Sequence, residues 1–369
     1  MYKVCHMTSA HESTDVRIFH KECTSIAQNN EYEVYLVACG NSRRENGVKV
    51  IGGGQMPNSR LKRMLFFSKR IFNISKDLDA DVYHLHDPEL LIYGLKLKKL
   101  GKKVIFDSHE NVYEQIKIKS YLPKFIRAFI AKLYLLYETK ICMKIDAVIV
   151  ADSEHDNNFF ENRCRQITFI DNTPKRKEIY DKFTTTECVK NNSVSCVGSL
   201  TEERGIEFLI KGCYLAGVKL ILAGYFSPDS FFEKVKKMKE FECVDYKGYC
   251  SRKEVIEIFK ETRIGASTIL NLGQYDKAHN LPTKVYEYMA AGIPVIMNDF
   301  PFGKIQNDKY DFGILVNPKN PEEIASAIIK LQDDVLYSKY SENARKAADD
   351  VFNWEVEQEK LLSLYAKIM

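Results

Sequence analysis

Lys284 and Glu287 stand one helical turn apart in the run from His279 to Ile296, and Arg204 lies in an earlier loop between Gly198-Ser199 and Gly205. A lysine in the first turn of a helix adds a full charge to the unpaired N–H groups at that end, so the two together attract an anion such as a phosphate. The planar fork of Arg204 suits a second phosphate contact, and Gly205 lets the backbone approach closely. Glu287 projects from nearly the same side as Lys284, where a carboxylate repels phosphate. Its fitting partners are neutral hydroxyls, such as those of a ribose. A surface loop and helix with an ordinary lysine and glutamate would carry the same letters, so the surrounding elements have to separate the two readings.

Pro282 suits the first turn of a short helix in which Val285, Met289 and Ala290 share a face, and Gly292 ends it ahead of the apolar run 293–297. The loop 198–205 sits between a strand at 194–197 and a helix at 206–214. Strands at 218–223, 244–246, 264–267 and 313–316 alternate with helices near 230–239 and 252–260, and further helices start near Pro321 and Leu336. An earlier series reads the same way. Strand 3–7 leads through the polar loop 8–15 into a helix at 16–28 with Ile18, Phe19, Cys23 and Ile26 in its apolar stripe. Strands follow at 34–38, 48–51, 81–86, 103–109, 147–151 and 167–170, with a helix near 154–161. Two βα series imply an α/β chain of two doubly wound domains, 1–172 and 193–351, joined by a polar linker at 173–192, with the ligand in the cleft between them. Trp354 opens a last helix with Leu361, Leu362 and Tyr365 at core spacing.

Other chemistry-bearing residues have competing readings. Alternation along strands puts His84 with His86 and Asp107 with His109, four polar groups near strand ends that could bind a metal or could be one buried and one rim histidine. Asp87-Pro88 reads as a helix cap. The series Asp77, Asp79, Asp81 precedes its strand and reads as a solvated turn, as does Gly52-Gly53-Gly54. Residues 117–144 hold seven basic groups (Lys117, Lys119, Lys124, Arg127, Lys132, Lys140, Lys144) against Glu138, interleaved with Phe125, Ile126, Phe129, Ile130, Leu133, Leu136 and Tyr137. That pattern fits a helix lying on an anionic membrane and equally a helix packed on a sheet with its lysines in water.

The chain has 369 residues, 45% hydrophobic and 28% charged, with a formal charge of +4. That length calls for two domains and the small net charge excludes a duplex nucleic-acid binder relying on counterion release. Ten cysteines show no CxxC pair and read as small buried residues in a reducing compartment. No run approaches about 18 uninterrupted apolar residues and the start lacks a signal peptide's apolar core, which together predict a cytoplasmic protein.

The segments Gly198…Arg204-Gly205, Gly224, 280–294 and Thr8-Ser-Ala-His-Glu-Ser-Thr-Asp15-Val-Arg-Ile-Phe-His-Lys21 resemble glycosyltransferase family 4, the retaining GT-B enzymes, over nearly the whole chain. The likeness is greatest to bacterial members that build surface polysaccharides. It implies two Rossmann-like domains facing a cleft, the second binding a nucleotide-diphosphate sugar of UDP or GDP type and the first, with residues 352–369 packing back on it, serving a glycan or lipid-linked acceptor. It places Arg204 and Lys284 on the diphosphate and Glu287 on the ribose. It further implies that Gly198, Ser199, Tyr249, His279, Asn280 and Leu281 bind the donor, that His109 reaches the donor sugar, and that His11, Asp15 and His86 lie on the acceptor side. No metal or other cofactor is expected, since two fixed cations neutralise the leaving diphosphate. The family usually has two glutamates seven residues apart, and His279 stands at the first position, which bears on the donor sugar's identity. A nucleotide-sugar epimerase of the same fold, a non-catalytic nucleotide-sugar-binding subunit and a metal hydrolase built on His84, His86, Asp107 and His109 are the alternatives.

Overall fold

The computed structural model describes residues 1–109, 111–118, 123–153, 158–183, 192–270 and 277–369. It divides into two units, Met1–Asn172 with Glu357–Met369, and Thr173–Val356.

Among the described residues of the first unit the strands are β1 (Tyr2–Met7), β2 (Tyr32–Ala38), β3 (Arg43–Glu45), β4 (Val48–Gly52), β5 (Val82–Leu85), β6 (Lys103–Ser108), β7 (Ala147–Val150) and β8 (Ile167–Phe169). They lie in the order β3-β4-β2-β1-β5-β6-β7-β8, parallel except for the β3–β4 edge. Cys5, Met7, Tyr83, Leu85, Val104 and Phe106 build the apolar core on one face of this sheet. Alternation therefore sends His6, His84 and Asp107 to the other face, and the register sets His6 beside His84. Over that face runs the helix Val16–Cys23, continued by Thr24–Ala27. Asp15 caps it by accepting from Ile18 N at 2.9 Å, and its turns are wide: His20 N reaches back to Asp15 O at 3.2 Å. Tyr365, on the last helix (Trp354–Ile368), is fully buried and its hydroxyl meets His84 Nδ1 at 2.9 Å.

In the second unit β9 (Ser193–Val197), β10 (Lys219–Ala223), β11 (Val244–Gly248), β12 (Ile264–Ser267), β13 (Val295–Asn298) and β14 (Gly313–Val316) form a parallel sheet in the order β11-β10-β9-β12-β13-β14. The strand order reverses between β9 and β12, where a doubly wound sheet opens its ligand crevice. The helix Thr283–Ala290 is pressed onto these strands by Tyr288, whose hydroxyl donates to Ser195 O at 2.9 Å. Only glycine fits beneath its ring, because a Cβ on Gly265 would lie 2.4 Å from it.

Three expectations change. Pro282 precedes the helix rather than standing in its first turn. The linker is not free where it is described: Ile179 is fully buried, with Tyr180 and Phe183 packed beside it in the second unit's core, and the Arg345 guanidinium lies 4.0 Å from the Tyr180 ring centroid. Its charged neighbours masked that apolar trio, and residues 184–191 fall outside the described residues. Of the helix expected at 154–161, residues 154–157 fall outside the described residues and 159–161 form turns. The Asp77–Asp81 series is a solvated turn, with Asp79 at positive φ and paired to Lys102 at 2.6 Å. The nine cysteines within the described residues are all free thiols.

Candidate functional site

A cavity of about 390 Å³ opens at the carboxyl ends of β9 and β12, lined by Val197, Gly198, Ser199, Arg204, Ile269, Ala278, Asn280, Leu281, Pro282, Thr283, Lys284 and Glu287. Seven of the sequence-derived donor residues thus line one space: Gly198, Ser199, Arg204, Asn280, Leu281, Lys284 and Glu287. The backbone turns that make room are dictated by glycine. Gly198 (φ +110°) leaves the β9 end open toward Lys284, and a Cβ on Gly224 (φ +141°) would sit 1.8 Å from Gly198 O. Gly205 (φ +69°) lets the Arg204 turn press against Thr268, whose carbonyl oxygen would be 2.0 Å from an added Cβ.

The Lys284 ammonium donates to Cys196 Sγ at 3.3 Å, and among the described residues no carboxylate pairs with it. A lysine held at a helix start beside a thiol rather than a carboxylate is available to an incoming anion. Glu287 is held differently, because its Oε1 accepts from Arg252 Nη1 at 2.7 Å. Arg252 was missed in the sequence since it opens a helix capped by Ser251 and Glu254, a pattern that reads as ordinary surface.

His279 and Tyr249 do not line the cavity. The ring of His279 packs edge-on against Phe302, 6.3 Å between centroids. Tyr249 is exposed and stacks on Tyr225, 5.3 Å apart and 15° from parallel, just beyond the ends of β11 and β10. The pair offers a flat aromatic face of the kind on which a base stacks.

In the first unit the sequence-derived residues gather in a buried polar cluster. Asp107 accepts from Arg17 Nε and Nη2, both at 3.0 Å, and contacts His109 Nε2 at 2.9 Å and His86 Nδ1 at 3.4 Å. Burial acts to raise the Asp107 carboxyl, but Arg17 and the two histidines hold it well below the usual range. His109 is thereby fixed with one ring nitrogen on Asp107 and remains partly exposed. His86 is buried and bonded to His6 and His109. Asp15 serves as the helix cap described above. His11 pairs with Asp87 at 3.0 Å; burial opposes its protonation, and the Asp87 carboxylate more than offsets this, raising the imidazole above its ordinary value. Asp87 does not cap the following helix as expected. Its carboxylate instead accepts from Thr8 Oγ1, from the Ser9 backbone and hydroxyl and from the Ala10 backbone, where four donors converge. Sequence reasoning missed His6, Arg17 and Glu22, all buried within this cluster.

Of the basic segment, Lys117 lies in the helix Val112–Ile118, Lys119 falls outside the described residues, and a second helix runs over Lys124–Cys142. Its outer face is apolar: Phe125 is 76% exposed, Phe129 64%, Leu133 51% and Leu136 60%. These positions recur every three or four residues and so make one stripe. Lys132, Lys140 and Lys144 are exposed in the same region. Among the described residues no helix is long and apolar enough to cross a membrane.

Residues 180–347 match the family model for glycosyl transferases group 1, and residues 23–171 match that for glycosyltransferase family 4. No curated protein sequence matches the chain. Solved structures do. Sucrose-phosphate synthase from Thermosynechococcus elongatus aligns with a TM-score of 0.74 at 16% identity, over 100% of this chain and 99% of its own. HepE from Anabaena, solved with UDP-glucose, aligns at 0.70 and 13% identity over 100% of both chains. A glycosyltransferase from Rickettsia africae aligns at 0.67 and 15% identity, over 100% of this chain and 98% of its own. At these identities the likeness establishes the fold, a GT-B pair of Rossmann-like sheets.

Proposed function

The chain belongs to glycosyltransferase family 4, and from that premise we propose that it transfers a sugar, with retention, from a nucleotide-diphosphate sugar to a hydroxyl of a glycan or lipid-linked acceptor in polysaccharide synthesis. The observation that carries the reading is the cavity at the β9 end, where Lys284 and Arg204 converge with a glycine turn and Glu287. The two cations neutralise the diphosphate as the bond from its oxygen to the anomeric carbon breaks. The acceptor oxygen bonds to that carbon on the same face, and its proton passes to an oxygen of the departing diphosphate. No side-chain nucleophile is required, and no metal ion at the diphosphate.

Glu287 takes the ribose hydroxyls and the Tyr249 ring the base. A UDP donor is favoured by analogy with HepE, which was solved with UDP and with UDP-glucose. The basic helix with its apolar outer stripe supports a peripheral seat on an anionic membrane, which would bring a lipid-linked acceptor within reach.

The test is a thermal-shift screen of nucleotide sugars, since a ligand that binds the native state raises the melting point by mass action. A UDP-sugar or GDP-sugar is expected to raise it in the wild type and to do so much less in Lys284→Ala. With donor alone the sugar's configuration should stay unchanged. Its inversion at a ring carbon would assign the chain to the epimerases.

A further inference from the structure

On the helix-covered face of the first unit's sheet, one ligand atom from each of His6, Glu22, His84 and His86 lies within 4.8 Å of every other. All four side chains are buried. Glu22 Oε2 stands 3.9 Å from both His84 Nε2 and His86 Nε2, and His6 Nδ1 is 2.9 Å from His86 Nε2. Both Glu22 carboxylate oxygens and His84 Nε2 are buried with no hydrogen-bond partner. Buried polar atoms are almost always satisfied, so two of them 3.9 Å apart ask for something between them.

The outer ring nitrogens of the histidines are already held, and the outer Glu22 oxygen has an ion-pair contact without a hydrogen bond. His84 Nδ1 meets the Tyr365 hydroxyl at 2.9 Å and His6 Nε2 meets it at 3.3 Å. His86 Nδ1 faces Asp107 Oδ2 at 3.4 Å, and Glu22 Oε1 lies 3.1 Å from Arg17 Nε. A ring nitrogen that gives its proton to an outer partner leaves the other nitrogen bare and aimed inward. That is the arrangement which orients histidine and carboxylate ligands around a metal.

We propose that His6, Glu22, His84 and His86 form a closed, structural site for a divalent transition-metal ion of the zinc class. Three imidazoles and one carboxylate suit zinc's four-coordinate preference, and no position remains for a substrate. The second cluster, His86 with Asp107 and His109, is the poorer candidate, because Asp107 is occupied by Arg17 and both histidines. The ion would tie β1, the first helix and the β5 end together, with Tyr365 joining the last helix to them. It is independent of the transfer chemistry, and its failure would leave the donor site untouched.

The test uses the untagged full-length protein. Metal content is measured after purification and after a brief wash with chelator, and melting is followed for protein refolded without metal and then given zinc or cobalt. The expected result is one tightly held ion per chain that survives the wash, and a rise of about 10 °C in the first unfolding transition with zinc at roughly a thousandfold excess over Kd. Cobalt should give the visible absorption of a four-coordinate site. That absorption should be lost in Glu22→Gln and His84→Gln and kept in His20→Ala, whose histidine lies outside the cluster. Two results overturn the proposal: wild-type protein that holds no ion and melts unchanged with zinc, as it would if Glu22 and Asp107 shared a proton instead, or zinc that washes off without changing the melting point. Both are measured on the wild type, so the proposal can be refuted even where a core variant fails to fold.

Discussion

Arg252 Nη1 donates to Glu287 Oε1 at 2.7 Å, and its Nη2 lies 3.8 Å from Glu178 Oε2. The arginine thus fixes the rotamer of a carboxylate that lines the cavity while leaving the second oxygen for another donor. Glu287→Gln is expected to weaken binding of a ribonucleoside diphosphate more than that of its 2′-deoxy form, because a ribose hydroxyl is the assigned partner. Arg252→Ala should show the same preference more weakly. The pair is partly exposed, so the coupling in a double-mutant cycle should stay within about 1 kcal/mol. Equal losses for both nucleotides would mean that Glu287 serves structure alone.

Lys284→Ala and Arg204→Ala are each expected to cost about 1.5–3 kcal/mol in nucleotide-diphosphate affinity, the scale of a hydrogen bond to a charged group. Calorimetric titration with the nucleoside alone should give nearly wild-type affinity. A normal affinity for the diphosphate in both variants would move the site elsewhere.

Gly224 is the third test, through the backbone. Its φ of +141° and the Gly198 carbonyl 1.8 Å from an added Cβ leave no room for a side chain. Gly224→Ala should lower stability by about 1–3 kcal/mol, as a strained backbone position does. Because the displaced atom belongs to the cavity-lining Gly198, nucleotide affinity should fall as well. Loss of stability with unchanged affinity would detach this turn from the site.

The donor cavity could be read from sequence because its pieces are local: Lys284 and Glu287 share one short helix, and Gly198 to Arg204 one loop. The cluster in the first unit could be read only in part. His84 with His86, and Asp107 with His109, follow from alternation along a strand. Arg17 and Lys21 did not, since an ordinary helical period with Ile18, Phe19, Cys23 and Ile26 inward puts them in water, and Glu22, which that period sets among the inward residues, was passed over because a carboxylate is rarely buried. The helix there has wider turns, and all three are buried. Arg17 also meets a residue 90 positions away, a convergence that no local pattern encodes. The same limit applies to the basic helix, where periodicity shows an apolar stripe without saying which way it faces.

Glu138 gives a pH dependence. It is buried, and although Arg163 and Tyr134 hydrogen-bond to it and pull its carboxyl down, burial prevails and raises it above its ordinary value. The folded state therefore holds this proton more tightly than the unfolded one. Its contribution is fully present below the unfolded glutamate value of 4.5 and is lost as pH rises through the higher folded value. Melting curves of wild type and Glu138→Gln across that window should show the wild type losing ground to the variant as pH rises. A difference independent of pH would mean that Glu138 is ionised throughout.

The outward stripe of Phe125, Phe129, Leu133 and Leu136 makes the membrane reading testable by two separate forces. Basic residues near an anionic surface contribute about 1 kcal/mol each, and salt screens that attraction. Apolar insertion is not screened in this way. The folded protein is expected to cosediment with anionic vesicles, and not with neutral ones, at low ionic strength. Lys132→Glu with Lys140→Glu should abolish this, while Phe125→Ser with Phe129→Ser should leave weaker binding that salt removes completely. Both pairs replace exposed side chains, so folding and nucleotide affinity should survive. Wild-type protein that ignores anionic vesicles at low salt would rule out the membrane seat and direct the search for an acceptor to soluble glycans.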